Sequence, residues 1–263
     1  MTTAVKDTPR FDEHGRCLPT VAQAGLAHPV SRRYFRLEPQ AVDLTAAHGR
    51  LKQHLGIEMD ARTFVQRVQA LRERLATDPH TQGMLAGPAI PFALPQTQVV
   101  EIGTLMEEFY LPAIGRAFEQ TYPGRQFTNH AKQGLAGKLS VQPGSRHEQL
   151  LARQENQEVV GFYFPCLSEY SIPAALEQMA GLPGHCMLSG GFDTSAALVA
   201  APELLMRGDG YPPLLWLSGL AGEKPGVGYH YEAYGYNLTF NRRAHLNQVA
   251  EYWWSSVTVI DSL

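Results

Sequence analysis

Residues 189–195 read Ser-Gly-Gly-Phe-Asp-Thr-Ser, which places two glycines, three hydroxyls and one carboxylate within a single turn. Glycines let backbone N–H groups approach a bound anion closely, and hydroxyls add further hydrogen bonds to it. A short apolar run, 185–188, precedes the turn, and a helical pattern, 194–200, follows it. Because the N-terminus of a helix favours negative charge, the stretch predicts a site for a small anion, made by Ser189, Gly190, Gly191, Asp193, Thr194 and Ser195.

This spacing resembles the pyrophosphate-binding loop of the PP-loop ATP pyrophosphatases, the family that includes argininosuccinate synthetase and tRNA-thiolating enzymes. The resemblance covers the loop alone and implies an ATP-dependent enzyme, with ATP or another phosphate-bearing ligand bound there. The chain departs from the family pattern after the loop, since too few residues follow for a whole nucleotide domain and Pro202 interrupts the next helix. An ordinary helix start, capped by Asp193, explains the same letters. Both interpretations stay open.

Cys166 and Glu169 are the candidate catalytic residues. They follow the β-branched and aromatic run 159–165, which predicts a strand, and precede residues 171–179, which read as a helix. A helix N-terminus can lower the pKa of a thiol and make it a nucleophile. If the apolar runs are parallel strands joined by helices, their carboxyl ends also bring Ser168 and Ser218 to the same crevice. The alternative is a buried, unreactive cysteine.

A metal site is a weaker possibility in the C-terminal segment. His230 and Glu232 lie on one face of an alternating strand pattern, and His245 follows thirteen residues after Glu232. Two histidines and one carboxylate are a known ligand set for divalent metals. An exposed strand face explains the same residues without a metal.

The first half of the chain reads as helical after an irregular N-terminal arm, residues 1–40. A helix capped by Asp60 is predicted from apolar residues at helical spacing, with its arginines in solvent. A second helix over residues 98–120 should bend or divide at Pro112. Residues 80–96 contain three prolines and two glycines, which predicts a loop or linker.

The tail is rich in aromatic residues and alternates with period two over residues 228–243, which predicts a long strand or a hairpin bent at Gly235. Residues 245–257 are interpreted as a closing helix. Aromatic side chains are typical of cores and of protein interfaces. The aromatic residues of the tail that could form part of the core or of a protein interface are Tyr229, Tyr231, Tyr234, Tyr236, Trp253 and Trp254.

Composition narrows the classes of function. The formal net charge is −3, and this lack of basic excess argues against nucleic acid as a partner. No run reaches the roughly twenty apolar residues of a membrane span, and the N-terminus lacks the apolar core of a signal peptide. We therefore expect a cytoplasmic protein. The three cysteines are scattered, which predicts reduced thiols.

Together these features predict an α/β or α+β fold with a helical N-terminal half and a C-terminal mixed β-sheet flanked by helices. The expected parts are the arm 1–40, a helical region 41–125 and an α/β region 126–263 that packs with it. The leading hypothesis is a binding site for a small anionic or nucleotide-like ligand at the crevice around residues 166–195, with an enzymatic role left open. The alternatives are a non-catalytic subunit that docks on a partner protein or forms a homo-oligomer, and a PP-loop-like ATP-dependent enzyme.

Overall fold

Strands from both halves of the chain pair in one mixed sheet. The structure is a computed structural model that describes residues 10–20, 25–32, 34–206 and 211–261. Within that part, eight strands follow the order β1-β4-β10-β6-β8-β9-β2, with β5 beside β10, and β3 and β7 form a separate small ladder. The strands are β1 Ile90–Leu94, β2 Phe127–Asn129, β3 Ser140–Val141, β4 Val159–Ser168, β5 Cys186–Leu188, β6 Leu214–Trp216, β7 Leu220–Ala221, β8 Val227–Tyr234, β9 Asn237–Ala244 and β10 Trp253–Ile260.

Helices from the first half pack with this sheet around a common core. They are α1 Leu44–Leu55, α2 Ala61–Thr77, α3 Ile102–Leu105, α4 Leu111–Thr121, α5 Glu148–Asn156, α6 Ile172–Gln178 and α7 Gly191–Ala200, with a π-helical turn at Met106–Tyr110 and 3-10 turns at Gln82–Ala86, Met179–Gly181 and Pro202–Leu205. One hydrophobic cluster contains residues of α1, α2, α4, α7 and the sheet. The predicted combination of helices with a mixed sheet is confirmed. Among the described residues, no helix has both the length and the apolar composition needed to cross a bilayer.

The helix predicted after Asp60 is present, and its carboxylate accepts a hydrogen bond from Thr63 N at 3.0 Å. The predicted apolar stripe is buried, and it consists of Phe64, Val68, Leu71 and Leu75. The sequence predicted that the arginines of this helix lie in solvent, but one of them does not. Arg67 Nε donates to Asp261 Oδ2 at 2.6 Å, so this side chain ties α2 to the end of β10.

Residues 80–96 are not a linker, because they include the buried strand β1. Pro91 lacks a backbone N–H, and it is tolerated because β1 lies at an edge of the sheet, where β4 is its one partner among the described strands. Pro112 does not divide the predicted helix either. It lies in the first turn of α4, directly after the π-helical turn, where a missing N–H costs little.

The predicted parallel strands joined by helices are wrong in their pairing. β4 and β5 both run antiparallel to β10, whereas β6 runs parallel to it. β6 therefore points opposite to β4 and β5, and the carboxyl ends of the three strands do not share one edge. The reason is that the last strand, β10, lies between β4 and β6 in the sheet, so these two strands are not direct neighbours.

The closing helix expected over residues 245–257 is also wrong, because this segment leads into strand β10. The preceding segment forms the β8–β9 hairpin, one of the two predicted arrangements. Gly235 and Tyr236 both have positive φ angles, 57° and 66°, as a two-residue hairpin turn requires. Trp253 and Trp254 are both buried, on opposite faces of β10, because successive strand residues alternate.

Candidate functional site

The Ser-Gly-Gly-Phe-Asp-Thr-Ser segment lies in the interior, where β5 leads into helix α7. Asp193 Oδ1 accepts a hydrogen bond from Gly190 N at 2.9 Å, which caps the helix. Asp193 Oδ2 accepts one from Thr258 Oγ1 at 2.5 Å, and the same Thr258 oxygen lies 2.8 Å from Ser189 Oγ. The carboxylate therefore joins the start of α7 to the central strand β10.

The remaining polar groups of the segment also bond within the protein. Thr194 Oγ1 donates to Gly190 O at 2.6 Å, and Ser195 Oγ donates to Gly191 O at 2.5 Å. A Cβ atom on Gly190 would lie 2.3 Å from His147 Nε2, and one on Gly191 would lie 2.4 Å from Met106 Sδ. The glycines thus permit close packing, and the geometry favours the capping interpretation over a phosphate loop.

Cys166 lies inside strand β4 rather than at a helix N-terminus. Helix α6 begins six residues later and is capped by Ser171. Burial raises the pKa of the Cys166 thiol well above its usual range, and the nearby thiols of Cys17 and Cys186 raise it further. The predicted lowering of this pKa is therefore wrong in direction. The three cysteines are all buried and carry free thiols.

Cys166 does line a cavity of about 220 Å³, which we call the β4 cavity. Its walls come from the end of β4, from Trp254 of β10, from residues 84–88 and from the N-terminal stretches 12–18, 29–31 and 36–37. The predicted loop residues 189–195 are not among the residues that line it. The structure therefore separates Cys166 from the loop, which the sequence interpretation had placed in one crevice.

Arg16 is the main charged group of the β4 cavity and is only 5% exposed. Its Nε donates to Ser168 O and Ser168 Oγ, both at 3.1 Å, and its Nη2 donates to His28 O at 2.5 Å. A weaker contact of 3.4 Å joins Nη1 to Pro29 O. All these acceptors are neutral, and no ion pair joins Arg16 to a carboxylate of the described residues.

Trp254, another residue that lines the β4 cavity, carries a second buried donor. Its side chain is 5% exposed, and its indole Nε1 has no hydrogen-bond partner in the described part of the chain. Arg36, also on the wall, differs from Arg16 because its Nη2 donates to Glu38 Oε1 at 2.6 Å. The residues that line the cavity thus include a guanidinium without a counter-ion and an indole N–H without an acceptor among the described residues.

Glu169, the other predicted catalytic residue, anchors the N-terminal segment beside this cavity. Its Oε1 accepts hydrogen bonds from Ser31 Oγ at 2.8 Å and from Arg32 N at 2.9 Å. Its Oε2 lies 3.5 Å from His28 Nδ1. Glu169 has a φ angle of 62°, uncommon for a residue with a Cβ, which turns the chain at the end of β4. These contacts indicate a structural role in holding residues 28–32.

The possible metal ligands do not converge. His230 Nε2 lies 3.5 Å from Glu232 Oε2, and the His230 ring packs against Trp216 with centroids 4.7 Å apart. In the described residues, no three histidine, cysteine or acidic side chains are grouped so that they could hold a metal ion. His245 therefore does not complete a site with the other two.

The aromatic tail is mostly interior. Tyr229, Tyr231, Trp253 and Trp254 are buried, whereas Tyr234 and Tyr236 at the hairpin tip are 75% and 56% exposed. Docking on a partner protein stays a prediction, and it is now restricted to this tip.

Comparison of the chain with protein-family models, with curated proteins and with solved structures finds no match. The site has to be judged on its own geometry. Arg16 and Trp254 give the β4 cavity its chemistry, but sequence reasoning missed Arg16 and named Trp254 only as a core or interface residue. The available signal was the Asp-Glu-His-Gly-Arg stretch at 12–16, in which a turn former and a glycine place an arginine directly after a turn.

Proposed function

We propose that this protein binds a small anionic ligand in the β4 cavity. The observation that carries the proposal is the buried Arg16 guanidinium, which has neutral partners and no carboxylate partner among the described residues. Buried charges in proteins are normally paired, because an unpaired charge loses its hydration without compensation. A bound anion would supply the missing charge.

The cavity supports binding more than nucleophilic catalysis. The raised pKa of the Cys166 thiol keeps it protonated and hence a weak nucleophile near neutral pH. The Glu169 carboxylate accepts hydrogen bonds from Ser31 and Arg32, and Glu169 is not among the residues that line the cavity. The function best supported is therefore recognition of a small molecule, with Arg16 as the residue that pairs with its charge.

Thermal unfolding with a panel of sodium salts tests the proposal, with acetate, benzoate, phosphate and pyrophosphate compared against chloride. We expect a saturable rise in Tm with at least one anion, because a ligand that binds only the folded state stabilises it. The rise should disappear in Arg16→Met and persist in Arg72→Met, which removes an exposed arginine of α2.

Arg16 also holds the N-terminal segment, so Arg16→Met alone does not separate an effect on binding from an effect on folding. Val30→Trp provides a second variant, since Val30 lines the cavity and is 76% exposed, so that a larger ring there blocks the entrance without disturbing the core. It should abolish the rise in Tm while leaving the unliganded Tm unchanged. A chain that no anion stabilises, or equal stabilisation of wild type and both variants, would contradict anion binding in the β4 cavity.

A further inference from the structure

The charge balance of the β4 cavity limits the charge of its ligand. Arg16 is a cation without an acidic partner among the described residues, whereas Arg36 is paired with Glu38. Asp12 also lines the cavity, and its Oδ1 accepts from the backbone N–H groups of His14 and Arg16, both at 2.9 Å. Arg16 can pair with one negative charge of a ligand, whereas the second charge of a dianion would lie near the carboxylates of Asp12 and Glu13, which also line the cavity.

The available donors define the shape of the charged group. A guanidinium has five N–H groups, and the contacts to Ser168, His28 and Pro29 occupy three of them. Two remain, and the Trp254 indole adds a third donor. Three donors match the two oxygens of a planar carboxylate, which arginine binds in a bidentate manner. A phosphate has more acceptor oxygens than a carboxylate, so the same three donors would leave more of its acceptor positions unfilled.

The rest of the wall is apolar. Leu37, Met84 and Trp254 are each at most 5% exposed and line the cavity together with Pro88 and Pro165. The volume of about 220 Å³ corresponds to about seven waters of the liquid. Apolar walls stabilise a hydrocarbon group by removing its surface from water. The ligand therefore has a compact hydrophobic body attached to its charged group.

We propose that the ligand is a small hydrophobic monocarboxylic acid, with its carboxylate on the Arg16 guanidinium and the Trp254 indole N–H and its hydrocarbon body against Leu37, Met84 and the prolines. This inference rests on the proposed function, since it names the class of anion that the β4 cavity takes.

Calorimetric titration with four probes tests the class. Benzoate carries both the carboxylate and a hydrophobic body, benzamide keeps the shape without the charge, acetate keeps the charge without the body, and inorganic phosphate replaces the carboxylate. Benzoate should bind about tenfold or more tightly than each of the other three, because each of them lacks one of the matched features.

Trp254→Phe keeps an aromatic ring on the wall but removes the indole N–H together with part of the ring system. It should weaken benzoate binding about tenfold, the effect of losing one hydrogen bond to a charged group. Trp253→Phe is the matched control, because Trp253 is a neighbour on the opposite face of β10 and does not line the cavity.

Tighter binding of phosphate than of benzoate, lost in Arg16→Met, would overturn the carboxylate class and leave anion binding intact. Failure of all four probes to bind would overturn the carboxylate class, and if pyrophosphate also fails to stabilise the chain, anion binding is overturned as well. Equal binding of benzamide and benzoate would exclude a role for the charge.

Discussion

At the scale of single residues, Asp193 and Arg16 show how similar burial leads to different roles. Both side chains are buried, yet the Asp193 carboxylate accepts hydrogen bonds from Gly190 N and Thr258 Oγ1. The Arg16 guanidinium has partners for only part of its N–H groups and lies on a cavity wall. A buried polar group with all its bonds inside the protein stabilises the fold, whereas one with bonds left over is available to a ligand.

Asp193→Ala tests the structural role of that carboxylate. We expect the free energy of unfolding to fall by about 3 kcal/mol, because Gly190 N and Thr258 Oγ1 lose a charged acceptor in the interior. Urea denaturation measures the change. Asp43→Ala is the control, since Asp43 caps α1 near the surface and its loss should cost only about 1 kcal/mol.

A loss at Asp193 no larger than that at Asp43 would show that the interior network contributes little. Benzoate binding by soluble Asp193→Ala should stay at the wild-type level, because the residue does not line the β4 cavity.

At the scale of elements, the turn over residues 12–16 positions the site. Asp12 N donates to Arg16 O at 3.0 Å, and Gly15 N donates to Asp12 O at 3.1 Å, which closes the turn. Gly15 has a φ angle of 76°, and a Cβ there would lie 2.4 Å from Gly87 N. The turn therefore rests directly on the backbone near Gly87, and this contact sets the position of Arg16 relative to β4.

Gly15→Ala should displace this turn. We expect a loss of about 3 kcal/mol in the free energy of unfolding, from left-handed strain together with overpacking against Gly87. Gly226→Ala is the control, because Gly226 has a φ angle of 77° with nothing within 4 Å of the added Cβ, so strain alone should cost about 1 kcal/mol. Chemical denaturation and benzoate titration check both variants. Wild-type stability and affinity in Gly15→Ala would mean that the turn does not position Arg16.

The sequence predicted elements well where the pattern was local. Helix α2 has its cap and four apolar residues within one segment, and the hairpin has a glycine at its turn. Strand β10 was misread as part of a helix because short apolar runs such as 253–260 fit both periodicities, and the choice depends on pairing with β4, β5 and β6. β1 was missed because an edge strand accepts the proline that usually argues against a strand.

At the scale of the whole molecule, the β4 cavity joins parts of the chain that are far apart in sequence. Arg16 contacts Ser168 across 152 residues, and Trp254 lies opposite Ser168 on the neighbouring strand. No periodic pattern encodes such contacts, and the N-terminal segments that supply them are irregular. This is why Cys166 could be singled out from sequence, whereas the groups around it could not.

The stability of the whole chain should depend on pH through His230. Burial lowers the pKa of this imidazole below 6.5, and Arg243 lowers it further, while Glu232 acts in the opposite direction. Above pH 6.5 the histidine is neutral in both states. As the pH falls below that value the unfolded chain binds the proton first, so stability is lost until the lower folded pKa is reached.

Urea denaturation at about pH 7.5 and about pH 5.5 should therefore show a decrease of up to about 1 kcal/mol per pH unit that His230→Phe reduces. His54 and His185 also have lowered pKa values and stay present in both proteins, so the difference between the two proteins isolates His230. An unchanged acid dependence in the variant would show that His230 is not protonated differently in the two states.

The most direct test of anion binding in the β4 cavity is the NMR spectrum of the tryptophan indole N–H groups during titration with benzoate. The chain has three tryptophans, and Trp254→Phe identifies the signal of Trp254 by its disappearance. We predict that this signal moves saturably downfield, as expected for an N–H that donates to a carboxylate, while the signals of Trp216 and Trp253 stay in place. A Trp254 signal that does not move, or that moves equally in Arg16→Met, would contradict binding of the carboxylate by Arg16 and Trp254 in the β4 cavity.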